Sequence, residues 1–426
     1  MTPRIVVVGG GAGGLELATR LGDTVGKRGR AHVTLVDRSR THLWKPLLHE
    51  VAAGSMDMHQ HQLDYLAQAR WHRFTFALGA LAGLDRKRRS ITLAAAKDDD
   101  GEVILPERRV AYDKLVIAIG CESNDFGTPG VREHAFTLDS AWQAHLFHRR
   151  LVNACFRANY ANDGAILHIA IVGAGATGVE LAAELHNTIR VLAAYGLENF
   201  RPEHQIRIAV IEAGPRILPG LPDHIAEGAL KVLTDLDIEV PTGERVVEVT
   251  ATRVKTATGK EITSDFTVWA AGIRCNDVLK DLDGLESNRL NQLVTRDTLQ
   301  TTRDDDVYAI GDCAACPWAD GKSVPPRAQA AHQQASHLVA TLASVPRPFR
   351  YRDFGSLVSL GAYDTVGQLM GFISSEKFRV EGWIARFFYV SLYRQHIWAL
   401  HGFWRMALDT LARMIRSQTE PKVKLH

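Results

Sequence analysis

The sequence predicts an α/β fold with two Rossmann-like domains, and two stretches of the chain carry that prediction. In "IVVVGGGAGGLELATRLG" an apolar strand runs into glycines and then into helix-forming residues. The stretch "IAIVGAGATGVELAAELH" repeats this order about 160 residues later. One glycine-rich turn is a weak signal, whereas two in the same context indicate a duplicated unit.

The first glycine turn has the spacing of a phosphate-binding loop. Its pattern is G-x-G-x-x-G, filled entirely by small residues: Gly9, Gly10, Gly11, Ala12, Gly13 and Gly14. The first glycine permits the bend, the second lets backbone approach a pyrophosphate, and the third lets helix and strand pack closely. The next strand, "HVTLVD", ends in Asp37, where a carboxylate accepts hydrogen bonds from ribose hydroxyls. The first unit is therefore predicted to bind an adenine dinucleotide.

The second turn follows the same logic with Gly173, Gly175 and Gly178, and "IRIAVIE" supplies Glu212 at the end of a strand. The longer spacing to this carboxylate predicts an insertion around "AAYGLENFRPEH". A carboxylate at both strand ends favours a free 2′-hydroxyl, because a 2′-phosphate would meet a like charge. The two dinucleotides are therefore predicted to be FAD and NAD(H).

The composition bounds the class of protein. A length of 426 residues suits two or three domains, and a net charge of +2 gives no reason to expect nucleic acid binding. The opening "MTPR" runs straight into a strand without the apolar segment of a signal peptide, so the cytoplasm is expected. Reduced thiols are expected for all five cysteines: Cys121, Cys155, Cys275, Cys313 and Cys316.

Later elements follow each turn in equivalent places. The apolar runs "YDKLVIAIG" and "DFTVWAAGI" predict buried strands that close on Gly120 and Gly272. The stretch "TTRDDDVYAIGDCA" predicts a strand ending in Gly311 and Asp312. A helix that Pro325 or Pro326 starts is expected next, with its positive N-terminal end aimed at a negative group such as a reduced flavin.

Together with these turns, "LWKPLLHEVAAG", "YAIGDCA", "PPRAQAAHQ" and "IARFFYVSLYRQH" carry a resemblance over essentially the whole chain. The chain resembles the flavoproteins with two dinucleotide-binding domains, and among them the bacterial type II NADH:quinone oxidoreductases. The resemblance implies an FAD-binding domain in two parts, residues 1–150 and 286–345. It also implies an NADH-binding domain over 151–285 and a C-terminal membrane-associating helical region over 346–426.

The resemblance also implies roles for single residues. FAD, bound without a covalent link, would contact the first loop and the set Asp37, Arg38, Lys45, Pro46, Gly120, Gly311, Asp312, Ala328 and Gln329. NADH would contact the second loop together with Glu180, Glu212 and Gly272. For Glu180 the alternative is an ordinary acid near a helix N-terminus.

The family's quinone motif A-Q-x-A-x-Q appears as residues 328–333. Gln329 and Gln333 lie one helical turn apart on one face, and Ala328 and Ala331 leave room for a flat ring. Neutral amides can donate hydrogen bonds to quinone carbonyls without adding a fixed charge. Gln329 and Gln333 are therefore predicted catalytic residues, and the resemblance adds Glu180 to them; two solvent-facing glutamines are the alternative.

The end of the chain, residues 383–426, is basic and aromatic although the whole chain is nearly neutral. Its cations are Arg386, Arg394, Arg405, Arg413, Arg416, Lys422 and Lys424, and its aromatic residues are Trp383, Phe387, Phe388, Tyr389, Tyr393, Trp398, Phe403 and Trp404. Arginines interrupt every run before the ~20 residues that span a bilayer. The segment is predicted to lie on the membrane, and packing on its own protein or a dimer partner is the alternative.

Cys313 and Cys316 have the spacing of a redox or metal pair, but their place in the chain differs from that of the active pair in related disulfide reductases. They are interpreted as structurally incidental, with metal binding or redox sensitivity as alternatives, and no metal is expected.

The predicted activity is transfer of a hydride from NADH to FAD and then of two electrons to ubiquinone or menaquinone, without proton pumping. The predicted location is the cytoplasmic face of the bacterial inner membrane, and a homodimer is compatible with the sequence. The alternatives are a sulfide:quinone oxidoreductase, which needs two widely spaced cysteines, and a flavin redox sensor without turnover.

Overall fold

A computed structural model gives the fold of the chain. It describes residues 2–98, 100–161, 164–342, 344–360, 365–370, 377–381, 393–416, 419–421 and 423–424. Two parallel sheets form the centre of the molecule, and each carries one of the glycine turns at the carboxyl end of a buried strand.

The first sheet has six strands, in the spatial order Gln300–Thr301, Asp304–Ala309, Lys114–Ile117, Arg4–Val8, His32–Asp37 and Thr75–Leu78. Neighbours run parallel except for the first two, which are antiparallel. The central strand Arg4–Val8 is buried from Ile5 onward, as expected for a strand covered on both faces. The chain leaves this sheet, builds the second sheet and returns to it.

The second sheet has four parallel strands, in the order Ala135–Thr137, Phe266–Trp269, Leu167–Val172 and Ile206–Ile211. It already includes Ala135–Thr137, which precedes residue 150, the end predicted for the first part of the FAD-binding domain. The crossovers between the two sheets, Glu122–Ser123 and Ile273–Arg274, pair antiparallel with each other. They place the two sheets side by side through a short ribbon.

The smaller sheets are antiparallel, apart from one parallel pair. Their strands are Leu81–Asp85, Ser90–Leu93 and Arg108–Ala111; Val246–Val249, Arg253–Thr256 and Glu261–Thr263; Gly355–Ser359, Thr365–Met370 and Lys377–Glu381; Thr41–His42 with Leu63–Asp64; Ala96–Lys97 with Val103–Leu105; and the parallel pair Leu293–Val294 with Ala314–Ala315.

The α-helices cover the faces of the sheets. They are Ala12–Leu21, Leu48–Ala53, Met58–His61, Tyr65–His72, Val131–His134, Ala141–Ala161, Ala176–Ala194, Pro202–Gln205, Asp223–Asp235, Ala328–Thr341 and Phe403–Arg416. Residues 393–401 are helical as well. Shorter helical turns are Gly22–Gly26, Lys45–Leu47, Asp277–Leu279, Leu282–Gly284, Gly311–Cys313 and Ala319–Gly321.

Of the four apolar clusters in the described residues, two position the glycine turns. Under the second sheet, Phe147 and Leu151 of Ala141–Ala161 pack with Val179 and Ile171. Beside the first sheet, Leu15 and Leu338 join helices Ala12–Leu21 and Ala328–Thr341 in one cluster. Those two helices therefore fix the glycine turn and the predicted quinone motif relative to each other.

Two local expectations need correction. The C-terminal region contains the expected helices, at 393–401 and 403–416, but three antiparallel strands between residues 355 and 381 precede them. The helix after the Gly-Asp turn begins at Ala328, because Arg327 keeps an extended backbone (φ −143°, ψ 149°) after the two prolines. The longer spacing to Glu212 arises from the longer helix Ala176–Ala194 and the added helix Pro202–Gln205.

A matched pair of glycine substitutions tests the packing of the first turn. Gly14→Ala should lower the thermal unfolding midpoint or prevent folding, because an added Cβ would overlap the Gly9 carbonyl oxygen. Gly228→Ala should stabilise by about 0.5–1 kcal/mol, since this helical glycine has no atom within 4 Å of the added carbon. A parental unfolding midpoint for Gly14→Ala would show that the close approach is wrong.

Candidate active site

Hydrogen bonds hold the first glycine turn against the end of the neighbouring strand His32–Asp37. Gly9 has a left-handed φ of 105° and donates its N–H to Val36 O at 2.7 Å. The Asp37 carboxylate accepts the N–H of Gly10 at 2.6 Å and that of Ser39 at 2.7 Å. The carboxylate therefore ties the turn to the end of the next strand, beside the N-terminus of helix Ala12–Leu21.

The second turn repeats this geometry. Gly173 also has a φ of 105° and donates to Ile211 O at 2.8 Å. The Glu212 carboxylate accepts the N–H of Ala174 at 2.8 Å and that of Gly214 at 2.7 Å. An added Cβ at Gly178 would overlap the Gly173 carbonyl oxygen, which is the counterpart of the contact at Gly14.

Both turns open into one cleft of about 1800 Å³, larger than the roughly 300–1000 Å³ of a site for one small ligand. Sixteen predicted site residues line it: Gly9, Gly11, Ala12, Gly13, Asp37, Arg38, Lys45, Pro46, Gly120, Gly175, Glu180, Gly311, Asp312, Ala328, Gln329 and Gln333. The cleft therefore joins the two turns to the face of helix Ala328–Thr341.

The other predicted site residues lie behind this surface: Gly10, Gly14, Gly173, Gly178, Glu212 and Gly272. Gly14 and Gly178 pack against the backbone of the turns, and Glu212 accepts a hydrogen bond from the backbone of the second turn. Gly272 has a φ of 61° and packs against Phe126, so the structure does not bring it to the cleft wall.

The wall between the two turns is polar. Lys45 Nζ donates to Cys121 O at 2.8 Å and lies 3.4 Å from the Asp139 carboxylate. Burial raises the pKa of Asp312, and the charge of Lys45 opposes that rise. Burial likewise raises the pKa of Asp37, although the hydrogen bonds from Gly10 and Ser39 act in the opposite direction. Arg38 pairs with Glu122 at 2.9 Å.

Glu180 faces the cleft from the second turn's helix. Its carboxylate accepts the Ser359 N–H at 3.0 Å, and its other oxygen lies 3.6 Å from His49 Nδ1. Burial lowers the pKa of His49 to about 4, so this imidazole is neutral at pH 7. Glu180 thus connects the second turn to the strand Gly355–Ser359, beyond the role of a helix-terminal acid.

The two glutamines of the predicted quinone motif share one face, and both amides hold backbone. Gln333 accepts the N–H of Arg352 at 3.0 Å and donates to Arg352 O at 2.8 Å. Gln329 accepts the Phe354 N–H at 3.2 Å and donates to Gly355 O at 2.9 Å. They fasten residues 352–355 along the cleft edge, a contact that the sequence pattern does not reveal.

The expectation of reduced thiols is wrong for two of the five cysteines. Cys121 and Cys275 are joined by a disulfide, although 154 residues separate them. The antiparallel pairing of the crossovers Glu122–Ser123 and Ile273–Arg274 brings them together, and Cys121 lines the cleft. Cys313 and Cys316 are free and buried, and burial raises their pKa values to about 12 and 11.

Comparison with known proteins decides the family. The family described as "Pyridine nucleotide-disulphide oxidoreductase" matches residues 3–335. A type II NADH:quinone oxidoreductase of Haemophilus influenzae is 42% identical, over 99% of this chain and 99% of that protein. The chain belongs to the type II NADH:quinone oxidoreductase family. Another relative of that name, from Staphylococcus saprophyticus, is 28% identical over 86% of this chain and 90% of its own length.

Solved structures share the fold. NDH2 from Plasmodium falciparum in complex with NADH superposes with a TM-score of 0.83 at 18% identity, over 100% of both chains. The sulfide:quinone oxidoreductase from Aquifex aeolicus gives 0.71 at 16% identity, over 93% of this chain and 91% of that chain. These identities show the fold alone, so membership of the type II family rests on the sequence relatives.

Sequence reasoning missed several residues that hold this family's site in shape. Gln334, next to Gln333, accepts the Gly311 N–H at 2.7 Å and thereby fixes the Gly-Asp turn. Tyr65 donates its hydroxyl to Gly10 O at 2.8 Å. His42 lines the cleft just before the "LWKPLL" stretch, and Trp44 lines it from within that stretch. No sequence motif marks Gln334 or Tyr65, because each acts through a contact distant along the chain.

Proposed function

We propose that the chain oxidises NADH and reduces a membrane quinone, with FAD as its bound cofactor. The observation that carries this proposal is the single cleft, into which both glycine turns and the Gln329–Gln333 face open. A cleft of this size has room for a dinucleotide from each turn and for a flat ring between them. The family membership supports the same activity.

The geometry of the first turn suits FAD. Its Gly9 backbone packs so closely on Ala118 that a side chain would overlap that residue, and Gly11 faces open space in front of a helix N-terminus. This is the cradle that a pyrophosphate needs. We assign the first turn, Asp37, Gly311 and Asp312 to FAD, which when bound accepts a hydride from NADH and passes on two electrons.

The second turn suits NADH for the same reasons. The N-terminus of helix Ala176–Ala194 faces the cleft at Gly175, and the Glu212 carboxylate lies behind it. A carboxylate there accepts ribose hydroxyls and repels a 2′-phosphate. Glu180 then lies on the cleft-facing side of the same helix, where it holds Ser359 in place.

We also propose that the C-terminal helix lies on the membrane surface. Trp404, Leu408, Leu411 and Ile415 of Phe403–Arg416 recur at helical spacing, and each is more than half exposed. Arg405 and Arg416 lie on the same helix and suit anionic headgroups, whereas Arg413 is held by Asp409 at 2.7 Å and by the Tyr393 hydroxyl at 3.1 Å. No helix in the described parts of the chain is long and apolar enough to cross a membrane. The predicted residues 383–392, 417–418, 422 and 425–426 lie outside the described residues.

Separate half-reactions test the activity. NADH should bleach the flavin absorbance of the purified protein, and a short-chain ubiquinone or menaquinone should restore it in a second mixing step. Sulfide in place of NADH is the control, because Cys121 at the cleft wall and its disulfide partner Cys275 form a widely spaced cysteine pair, which a sulfide-oxidising enzyme would need. Bleaching by sulfide alone would favour that alternative, and absence of reoxidation by quinone would favour the redox sensor.

The two carboxylates offer a matched test of nucleotide assignment. Glu212→Ala should lower the kcat/KM preference for NADH over NADPH by roughly tenfold or more, because the carboxylate that repels a 2′-phosphate is gone. Asp37→Ala should leave that preference intact and instead lower the flavin content of the purified protein. If Glu212→Ala keeps the parental NADH to NADPH ratio, the second turn does not select the nucleotide.

Gln329→Leu and Gln333→Leu test the quinone assignment. The transition-state free energy of quinone reduction, from the ratio of kcat/KM values, should rise by about 1–3 kcal/mol, while NADH oxidation by a small soluble acceptor stays near parental. His337→Leu is the control, since His337 also bonds backbone, to Arg347 O at 2.8 Å, but lies outside the cleft lining. Equal losses with both acceptors would assign the glutamines to holding residues 352–355 instead.

Vesicle binding tests the membrane surface. Leu408→Glu combined with Leu411→Glu should abolish co-sedimentation with vesicles of phosphatidylcholine and phosphatidylglycerol, because charge replaces the apolar stripe. Leu230→Glu, at an exposed leucine of helix Asp223–Asp235, should bind as the parent does. Undiminished sedimentation of the double variant would remove this helix face from the membrane contact.

A further inference from the structure

A buried carboxylate and an imidazole meet between the two helices that frame the quinone motif. His332 Nδ1 and Glu16 Oε2 form a short hydrogen bond across helices Ala328–Thr341 and Ala12–Leu21. Glu16 is only 2% exposed, and its other oxygen accepts Arg20 Nη1 at 2.8 Å and the Ser336 hydroxyl at 3.2 Å. Neither the nucleotide sites nor the glutamine contacts use this pair.

The charge state of Glu16 determines which ring nitrogen of His332 carries a hydrogen. Burial raises the pKa of Glu16, but the hydrogen bonds and charges of His332 and Arg20 outweigh it and hold the pKa below its ordinary value. Glu16 is therefore a carboxylate at neutral pH and only accepts hydrogen bonds. His332 Nδ1 must carry a hydrogen, which leaves Nε2 as the nitrogen that exchanges a proton.

No described group forms a hydrogen bond with that nitrogen. His332 Nε2 is buried and has no hydrogen-bond partner among the residues that the structure describes. The residue itself lines the cleft, three positions after Gln329 and immediately before Gln333. The spacing of three and four residues places all three side chains on neighbouring positions of one helical face.

Two further imidazoles, those of His42 and His396, pack nearby, but they are not suited to exchange a proton at neutral pH. His42 Nδ1 donates to Gly10 O at 2.8 Å, so its Nε2 accepts the hydrogen of His396 Nε2 at 2.9 Å. Burial lowers the pKa of His42 to about 4 and that of His396 well below its ordinary value, and the nearby charge of His332 acts in the same direction. The charged groups facing His332 are thus Glu16 and Arg20, with neutral His42 and His396 opposite. Only His332 among these imidazoles has a carboxylate partner.

Reduction of a quinone needs a group that can donate a proton. Conversion of a quinone to a quinol adds two electrons and two protons, and NADH supplies two electrons and one proton as a hydride. The remaining proton must come from water. A histidine held by a carboxylate is suited to pass it on at neutral pH.

On the basis of the proposed function, we propose that His332 is a catalytic residue that protonates the quinone, and that Glu16 is its positioning residue. The Nε2–H bond of the imidazolium breaks and an O–H bond forms on a quinone oxygen. The neutral imidazole then takes a proton from water that follows the quinone into the site; in this structure Nε2 itself is shielded from solvent, although 20% of the side chain is exposed. Glu16 keeps its charge and holds Nδ1–H throughout.

Two variants test this in the flavin-loaded protein. His332→Gln should slow reoxidation by quinone about 100-fold or more, the usual contribution of a general acid, while flavin reduction by NADH proceeds. The parent's quinone step should slow as pH rises, because the imidazolium is the acid. In Glu16→Gln this fall should begin at lower pH, and in His332→Gln it should disappear. His337→Gln, on the same helix but outside the cleft lining, should keep the parental profile.

A readout independent of turnover checks the tautomer. Protein labelled with ¹⁵N-histidine, assigned by difference from His332→Gln, should show His332 protonated at Nδ1 and bare at Nε2 above the kinetic transition. An Nε2-protonated tautomer, or a parental quinone rate and pH profile in His332→Gln, would overturn the proposal alone. Failure of the parent to be reoxidised by quinone would overturn the proposed function, and this proposal with it.

Discussion

The close approach within each glycine turn is the constraint on which the rest of the structure depends. At Gly14 and Gly178 a single added carbon would overlap the carbonyl oxygen of Gly9 or Gly173. The helix can therefore approach the turn this closely only because these two residues have no side chain. That contact aims a helix N-terminus past the carboxyl end of a buried strand. The two sheets then place these two helix ends on one cleft, which makes electron transfer between two dinucleotides geometrically available.

The carboxylates after the neighbouring strands extend this constraint. Asp37 and Glu212 each accept two backbone N–H groups, one from the turn and one from the residue two positions on. These bonds offset the desolvation of a carboxylate that would otherwise be costly to bury. Under the proposed assignment the same charges would favour an unphosphorylated ribose, so one arrangement would both stiffen the turn and select the nucleotide.

Helix Ala328–Thr341 links the turn at Gly311, the helix of the first glycine turn and residues 352–355. Gln334 holds Gly311, the two motif glutamines hold residues 352–355, and His332 reaches Glu16 on the first turn's helix. Gln329, His332 and Gln333 therefore each make a hydrogen bond within the protein and also line the cleft. Separate half-reactions distinguish these roles, because loss of a quinone contact slows only the quinone step, whereas a general disturbance of the fold slows both halves.

The sequence by itself determined the two Rossmann-like units, their carboxylates and the family, because glycine spacing and strand ends are local properties of the chain. It placed Gln329, Gln333 and Glu180 at the cleft but could not give their backbone partners. Only the tertiary structure joined Cys121 to Cys275, set Glu16 against His332 and paired the strands Gly355–Ser359, Thr365–Met370 and Lys377–Glu381. Those contacts join residues far apart along the chain, and no local pattern records which distant segments the packing of two sheets brings together.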